Sequence, residues 1–433
     1  MAKEKKRLSR KQKKWIVVMT VVFVAVASGV IYHFAQPKNS LDFSAAKTYW
    51  TKEKKTTPAG VNVPWQVVSA VQVDDPVSGG RKVVDALVGS TSVFSVVAPE
   101  EGDYSFLVES YVNSSGINDT DYSISINGTL MASKVSVRTL WSNAVATFAK
   151  DRNGNDVMPS QVKRAAFQKE YVRDYLNRTA YPSTFHLPSG ASTLSITVNE
   201  GNLLFGDCAL VSPMAALSYE DYLTLHPGAI PTGSALTLEA EKPLYKNDNS
   251  MVYEASKDVN CTPYDTYSLL LNTTSLSKCD YGQELTYSLE IPSDGYYEIA
   301  ANYSNSVANK ATFVRLAIDG EIPFGEVANY PLYANGAYAM EAFGNAYGSN
   351  PYKFYLSKGT HTLSLALDGA IYGGLCDELS SIMDSISAIY LQLRTLSVQS
   401  GDTSREWTPD EDFPGVVDSL KASSQALKTI YQE

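Results

Sequence analysis

The sequence predicts a mainly β protein: two β-sandwich domains in tandem, preceded by one transmembrane helix and followed by a short helical tail. Three observations predict it. The first is a long repeat. Gly102-Asp-Tyr104, Ile126-Asn-Gly128, Phe185-His-Leu187 and Leu194-Ser-Ile196 recur in the same order as Gly295-Tyr-Tyr297, Ile318-Asp-Gly320, Phe354-Tyr-Leu356 and Leu363-Ser-Leu365, the first two about 190 residues on and the last two about 170. A repeat of that period means two copies of one domain, not a solenoid of short units. The second is the local pattern. Each copy alternates apolar and polar residues and turns on Asn-Gly or Asp-Gly, as antiparallel strands joined by tight hairpins do. The third is residues 15–35, a run without Lys, Arg, Asp or Glu. At about 1.5 Å per residue such a run spans a hydrocarbon core of about 30 Å.

Residues 1–14 carry Lys3, Lys5, Lys6, Arg7, Arg10, Lys11, Lys13 and Lys14. A basic block before an apolar run keeps the amino end inside and sends the rest of the chain outside. The expectation is a single-pass cell-membrane protein with most of the chain extracellular. The alternative is secretion after signal cleavage near Ala27. No Cys ends the apolar run, which excludes a lipid-modified lipoprotein. Residues 36–62 read as a stalk.

The first sandwich is expected over 63–213, opening with strands at 65–73, 82–88 and 92–98. An insertion at about 138–178 breaks the β pattern, with Asp151-Arg-Asn-Gly-Asn155 as a turn and helical spacing over 161–175. Residues 214–233 read as a linker. The second sandwich, 234–393, opens on a strand at 236–241 and ends in a trailing helix that carries Leu379, Ile382, Met383, Ile386 and Ile389. Residues 394–433 read as an acidic linker and a second amphipathic helix.

Charged residues make up only 19% of the chain and aromatics 11%, and the net charge is −10 despite the basic start. Beyond residue 14 there is no basic face for phosphates, so nucleic acid is not an expected partner. Nor is the chain expected to be an enzyme. It has no Gly-x-Ser-x-Gly elbow and no His-Glu-x-x-His, and beyond the apolar run only His186, His226 and His361 remain. His186 and His361 flank matching strands and read as structural. Cys261 and Cys279 flank one loop of the second copy and are expected to form a disulfide outside the cell. Cys208 and Cys376 read as small core residues.

The repeated motifs, with Leu238-Glu-Ala-Glu241, resemble the jelly-roll carbohydrate-binding modules of families six and thirty-five, the galactose-binding-like sandwiches. Residues 80–430 further resemble the amino-terminal region of large extracellular solute-binding proteins of Firmicutes sugar-import clusters. Residues 151–161, 318–326 and 351–361 carry that likeness. The chain departs from the pattern at Cys279 and Tyr287, where tryptophans are expected. The resemblance implies non-catalytic binding of an oligosaccharide or polysaccharide at the cell surface, tied to capture for ABC-type import. A transporter component is then a candidate partner. The alternative is a structural or protein-interaction scaffold that braces such a complex and binds no sugar.

A sugar site needs aromatic faces for the pyranose and amide or acidic groups for its hydroxyls. The candidates are Trp141, Tyr264, Tyr267, Tyr330, Tyr333 and Tyr338, each weighed against a structural role. No cofactor is required. The resemblance implies a structural calcium at Glu239 and Glu241, and at Asp207 in the first domain; the alternative is ordinary exposed carboxylates.

Overall fold

The computed structural model describes residues 60–399 and 415–432, except 115, 117–118, 215–216, 234, 307–310 and 346–349. The predicted membrane span and stalk thus fall outside the described residues, save the stalk's last three positions. No described helix is long and apolar enough to cross a membrane. Both sandwiches belong to one compact unit, Ser44–Gly374, while Leu375–Glu433 fall in another.

The first sandwich has a five-stranded sheet against an eight-stranded one. Gln66–Ser69, Thr91–Ala98, Gly190–Glu200, Thr120–Ile126 and Thr129–Val137 form the smaller sheet in that spatial order. In the larger, Gly102–Val112 is central and pairs with Ala209–Val211, Leu203–Phe205, Gln168–Tyr171 and Phe185–Leu187. The period-two pattern becomes a core: Tyr104, Phe106 and Val108 meet Phe94 and Val96, Leu194 and Ile196, and Tyr122 and Ile124. Cys208 lies in this core as expected.

Both expected turns form, the first as a hairpin between Thr120–Ile126 and Thr129–Val137, the second closed only by a single bridge between Ile318 and Glu321. Asn127 and Gly128 take φ of 49° and 81°, and Asp319 and Gly320 take 53° and 80°. Two consecutive left-handed residues suit the twist of a two-residue hairpin, and Asn, Asp and Gly tolerate that region. Two histidines brace different places: His186 Nδ1 lies 3.1 Å from Asp103 Oδ1 at the start of Gly102–Val112, and His361 Nδ1 lies 2.6 Å from Asp319 Oδ2 at the Asp319-Gly320 turn. These carboxylates raise both imidazoles above their ordinary range.

The insertion is not helical. Its described backbone forms Trp141–Asn143, Gln161–Lys163 and Gln168–Tyr171. The last pairs within the first sandwich, but the other two leave it. The seven-stranded sheet of the second sandwich runs Gln161–Lys163, Trp141–Asn143, Tyr245–Lys246, Glu284–Ile291, Gly359–Leu367, Thr312–Ile318, Tyr330–Leu332. Backbone groups that a helix would satisfy internally are satisfied here by strand pairing across the two domains. The 214–233 segment also does more than connect. It holds the helix Tyr219–Thr224, whose N-cap Ser218 accepts from the Asp221 amide. The phenol oxygens of Tyr219 and Tyr222 accept from the amides of Lys353 and Tyr355, each at 2.8 Å, so this helix covers the edge of Lys353–Leu356.

The core of the second sandwich joins Leu289, Val314, Leu316 and Leu363 from the large sheet to Tyr297, Phe324, Phe343 and Phe354 opposite. Residues 236–241 are not a strand; the chain enters the sheet only at Tyr245. The trailing helix spans Ala370–Gln399 and buries Ile382 and Ile389, seven residues apart, while Met383 stays exposed. Cys376 is exposed, because it lies off the stripe that the helix buries. The second helix is Val416–Gln432.

Candidate functional site

One end of the second sandwich gathers three segments, 255–272, 302–305 and 333–341. The first, residues 255–272, joins the paired strands Val252–Glu254 and Thr273–Ser275. It is long, yet its polar groups fold it on itself. Lys257 Nζ donates to the carbonyls of Asp265, Thr266 and Ser268 at 3.0, 3.3 and 2.8 Å. Asp265 Oδ1 accepts from the amides of Tyr267 and Ser268, and these bonds hold its carboxyl below the usual range. Asn272, buried, donates to the carbonyls of Ser256 and Pro263 and accepts from the Ser256 amide.

This loop is tied to its neighbours by amide side chains. Asn302 Nδ2 donates to the Asn260 carbonyl at 2.7 Å, and Asn260 Nδ2 donates to the Tyr338 carbonyl at 3.1 Å. Asn335 Nδ2 donates to the Tyr303 carbonyl, and the Tyr303 hydroxyl donates to Glu341 Oε2 at 2.7 Å. Asn302 Oδ1, by contrast, is buried and accepts nothing. Tyr267 is 94% exposed and Tyr264 41% on the same loop as Asn260. The result is a loop with two exposed rings, tied through Asn260 to the Asn302 amide and the Tyr338 backbone, with one acceptor of Asn302 unmet. Such a surface can hold a hydroxyl-rich ligand: rings cover its C–H face, and amides exchange hydrogen bonds with its hydroxyls.

The structure thus groups Tyr338 with the loop that bears Tyr264 and Tyr267, and leaves Tyr333 half-buried on an adjoining segment. Tyr330 is placed differently. Its ring packs on Phe343 at 4.8 Å and its hydroxyl accepts from the Gly344 amide, which makes it an internal brace. Trp141 is buried, paired in register with Lys163 on one side and Lys246 on the other. Its ring lies 5.7 Å from Lys163 Nζ. A side chain so enclosed does not offer its face for stacking, and this corrects the expectation. Asn260, Asn302, Asn335 and Glu341 were not singled out from sequence; the only signal was the Asn-rich run Asn302-Tyr-Ser-Asn305.

The expected disulfide is absent. Cys261 and Cys279 are both free. Cys261 closes a turn onto the Asp258 carbonyl, while Cys279 packs beside Met251, Leu285 and Tyr287, so flanking one loop did not bring the two thiols together. Burial raises both thiols, Cys279 to about 11.

Of the acidic candidates, Glu241 is the informative one. It is fully buried, and neither Oε1 nor Oε2 accepts a hydrogen bond. Lys242 Nζ, the nearest cation in an ion pair with it, lies 3.7 Å from Oε1. Desolvation first, and the charge of Glu239 second among the raising causes, push its carboxyl up to about 7. Around it are Asn143 Nδ2, which donates to the Glu241 carbonyl, and the Tyr287 hydroxyl, which donates to the Ala240 carbonyl. Gln161, hydrogen-bonded to Asn143, leaves its own Oε1 buried and unpaired. Buried carboxylate and amide oxygens that accept no hydrogen bond are the donor set a hard cation takes. Asp207 is different. Arg81 bonds to Asp75, Glu109 and Asp207 at 2.8, 2.8 and 3.1 Å, so a guanidinium already supplies the positive charge. Among the described residues no three His, Cys, Asp or Glu side chains form a metal-binding group.

No family model and no curated protein matches the chain. Solved structures do. A CBM35 module from Cellvibrio japonicus Abf62 is 13% identical, covering 36% of this chain and 92% of that one at a TM-score of 0.22. A family 35 carbohydrate-binding module from Clostridium thermocellum is 14% identical, covering 34% and 90% at a TM-score of 0.20. At these identities and TM-scores the likeness carries nothing about ligand or activity.

Proposed function

We propose that the chain is a non-catalytic carbohydrate-binding protein whose ligand lies at the loop end of the second sandwich, against Tyr264, Tyr267, Tyr338 and Asn302. The observation that supports this most is the Asn302–Asn260–Tyr338 tie, which joins the loop that carries the exposed rings of Tyr264 and Tyr267 to Asn302 and the Tyr338 backbone, while Asn302 Oδ1 stays unpaired. An unmet buried acceptor costs stability, and a sugar hydroxyl would satisfy it. In this reading Tyr333 lies at the rim. Glu241, with Glu239 and Gln161 Oε1, would hold a calcium ion. The ion would neutralise the buried carboxylate and fix the start of the second sandwich.

The wider role is part of the same proposal. A membrane-anchored chain would capture oligosaccharide outside the cell for an import system, and a transporter component would be its protein partner. A second reading, a brace without sugar binding, draws on one observation. Val67, Val68 and Val71 are 42%, 64% and 66% exposed, on strands that each end a sheet. Apolar residues on open strand edges suit a protein partner.

A glycan array probed with the full-length chain in mild detergent tests the choice. Binding to one glycan class above background is expected. Silence across the array from folded protein would sink the carbohydrate reading and leave the brace.

A further inference from the structure

The insertion of the first sandwich does more than lend two strands to the second. Its turn at 151–156 rests on the loop 255–272. The turn is built to hold one shape. Asp151 Oδ1 accepts from the amides of Asn153 and Asn155 at 2.7 and 2.9 Å, and Asp151 Oδ2 accepts from Asn155 Nδ2 at 2.9 Å. The Asn155 side chain first, and the backbone amides after it, hold the Asp151 carboxyl below its ordinary range.

The turn then meets the loop residue by residue. Asn155 Oδ1 accepts from the Leu269 amide at 2.7 Å. The Asp156 amide donates to the Leu269 carbonyl at 2.8 Å, and Asp156 Oδ2 accepts from the Leu271 amide at 2.9 Å. The other carboxylate oxygen of Asp156 pairs with Lys150 Nζ at 2.6 Å, and the Asp156 side chain is 5% exposed. The approach is close, since a Cβ on Gly154 would lie 3.0 Å from Ser268 Oγ. Phe148 of the insertion also joins Tyr253 and Leu271, from either end of the loop, in a small buried cluster. The loop is thus anchored twice. Asn260 ties it to Asn302 and Tyr338 of its own domain, and Leu269 and Leu271 tie it to the insertion. Tyr264 and Tyr267 lie between the two anchors in the chain. A long loop without strand or helix is costly to order, so each anchor restricts the rings between them.

We infer that Asn155 and Asp156 are positioning residues for the ligand loop: through its insertion, the first sandwich holds Tyr264 and Tyr267 of the second in the arrangement that takes glycan. The inference rests on the loop-end reading of the function. Neither residue is assigned a contact with the glycan. They act on the loop before binding, so that less conformational freedom is lost when the glycan arrives. Coupling of this kind is reciprocal, so glycan at the loop end orders the insertion turn in return.

The test is hydrogen exchange together with glycan titration on the full-length chain, the probe being the array glycan that gives the strongest wild-type signal. In Asp156→Ala, amides of 264–271 should exchange about tenfold faster or more, while the melting temperature holds within about five degrees, because the loop opens locally. Glycan binding by Asp156→Ala should weaken about tenfold. Asp156→Asn keeps an oxygen that accepts from the Leu271 amide, so its exchange and its binding should stay within about threefold of wild type. Saturating glycan should slow wild-type exchange at 151–157 as well as at 264–271, and in Asp156→Ala the slowing should no longer reach 151–157. Loop exchange unchanged in Asp156→Ala, or binding unchanged although the loop is freed, would overturn the inference and leave the loop-end reading standing. Asp156→Asn as weak as Asp156→Ala would overturn it too, by tracing the effect to the Lys150 pair. So would a larger fall in melting temperature for Asp156→Ala, which would make the role one of global stability. A folded wild type silent on the array sinks the loop-end reading, and the inference falls with it.

Discussion

Replacing Glu241 with Gln isolates the cost of one buried carboxylate. Wild-type Glu241 has an ordinary value of 4.5 and stands near 7 in the folded chain. A carboxyl raised on folding favours the native state when protonated. Its contribution is therefore fully present below about 4.5 and is lost as the pH climbs through 7. Each pH unit between those values is worth about 1.4 kcal/mol, so ionisation costs about 3 kcal/mol at pH 8 but under about 1 kcal/mol at pH 5. Gln keeps the shape and carries no charge. In chelator, Glu241→Gln should be more stable than wild type by about 3 kcal/mol at pH 8, and nearly equal to it at pH 5. Urea denaturation at the two pH values measures both gaps. The difference between variant and wild type cancels the titrating groups that do not interact with Glu241. If a cation occupies the site, calcium at pH 8 should raise the wild-type midpoint and leave Glu241→Gln unmoved. A stability gap that is the same at both pH values would refute the reasoning. A Gln variant less stable at pH 8 would refute it as well, since it would mean that the carboxylate already has a partner.

Three further outcomes follow from the geometry. Gly128→Ala should cost about 1–2 kcal/mol in thermal unfolding, entirely through the backbone: φ is 81° and an added Cβ meets nothing within 4 Å. Trp141→Ala should destabilise by about 3–5 kcal/mol, as truncation of a buried aromatic does, whereas Tyr267→Ala, at a residue 94% exposed, should leave the melting temperature within a degree or so. Thiol titration of denatured, unreduced protein should find all four cysteines free, and reductant should not shift the melting temperature; two missing thiols would restore the disulfide.

The features that were legible in sequence are local ones. Asn127-Gly128 and Asp319-Gly320 needed only their own backbone preferences, and the alternation of Tyr104, Phe106 and Val108 needed only the pleat. Both tail helices were visible in their spacing. What was not legible depends on partners distant in sequence. Gln161–Lys163 is a strand because Trp141–Asn143 lies beside it and Tyr245–Lys246 lies beyond, across a domain boundary. The same crossing buries Trp141, which from sequence stood out as an aromatic in an insertion. Glu241 was expected as one of an acidic pair on a strand, but it sits before the first strand and is sealed over. The loop end was half legible: its tyrosines were visible as a cluster, while Asn260 and Asn302 gained meaning only once their loops met.

The central claim rests on that meeting, and one titration tests it most directly. The full-length chain, with Asn302→Ala, Tyr338→Ala and Trp141→Phe beside it, is titrated with the best glycan from the array. The account predicts that Asn302→Ala and Tyr338→Ala each weaken binding about tenfold or more while the melting temperature holds, and that Trp141→Phe binds like wild type. Binding that survives both loop-end changes but is lost in Trp141→Phe would contradict it and place the glycan on the strand that joins the two sandwiches.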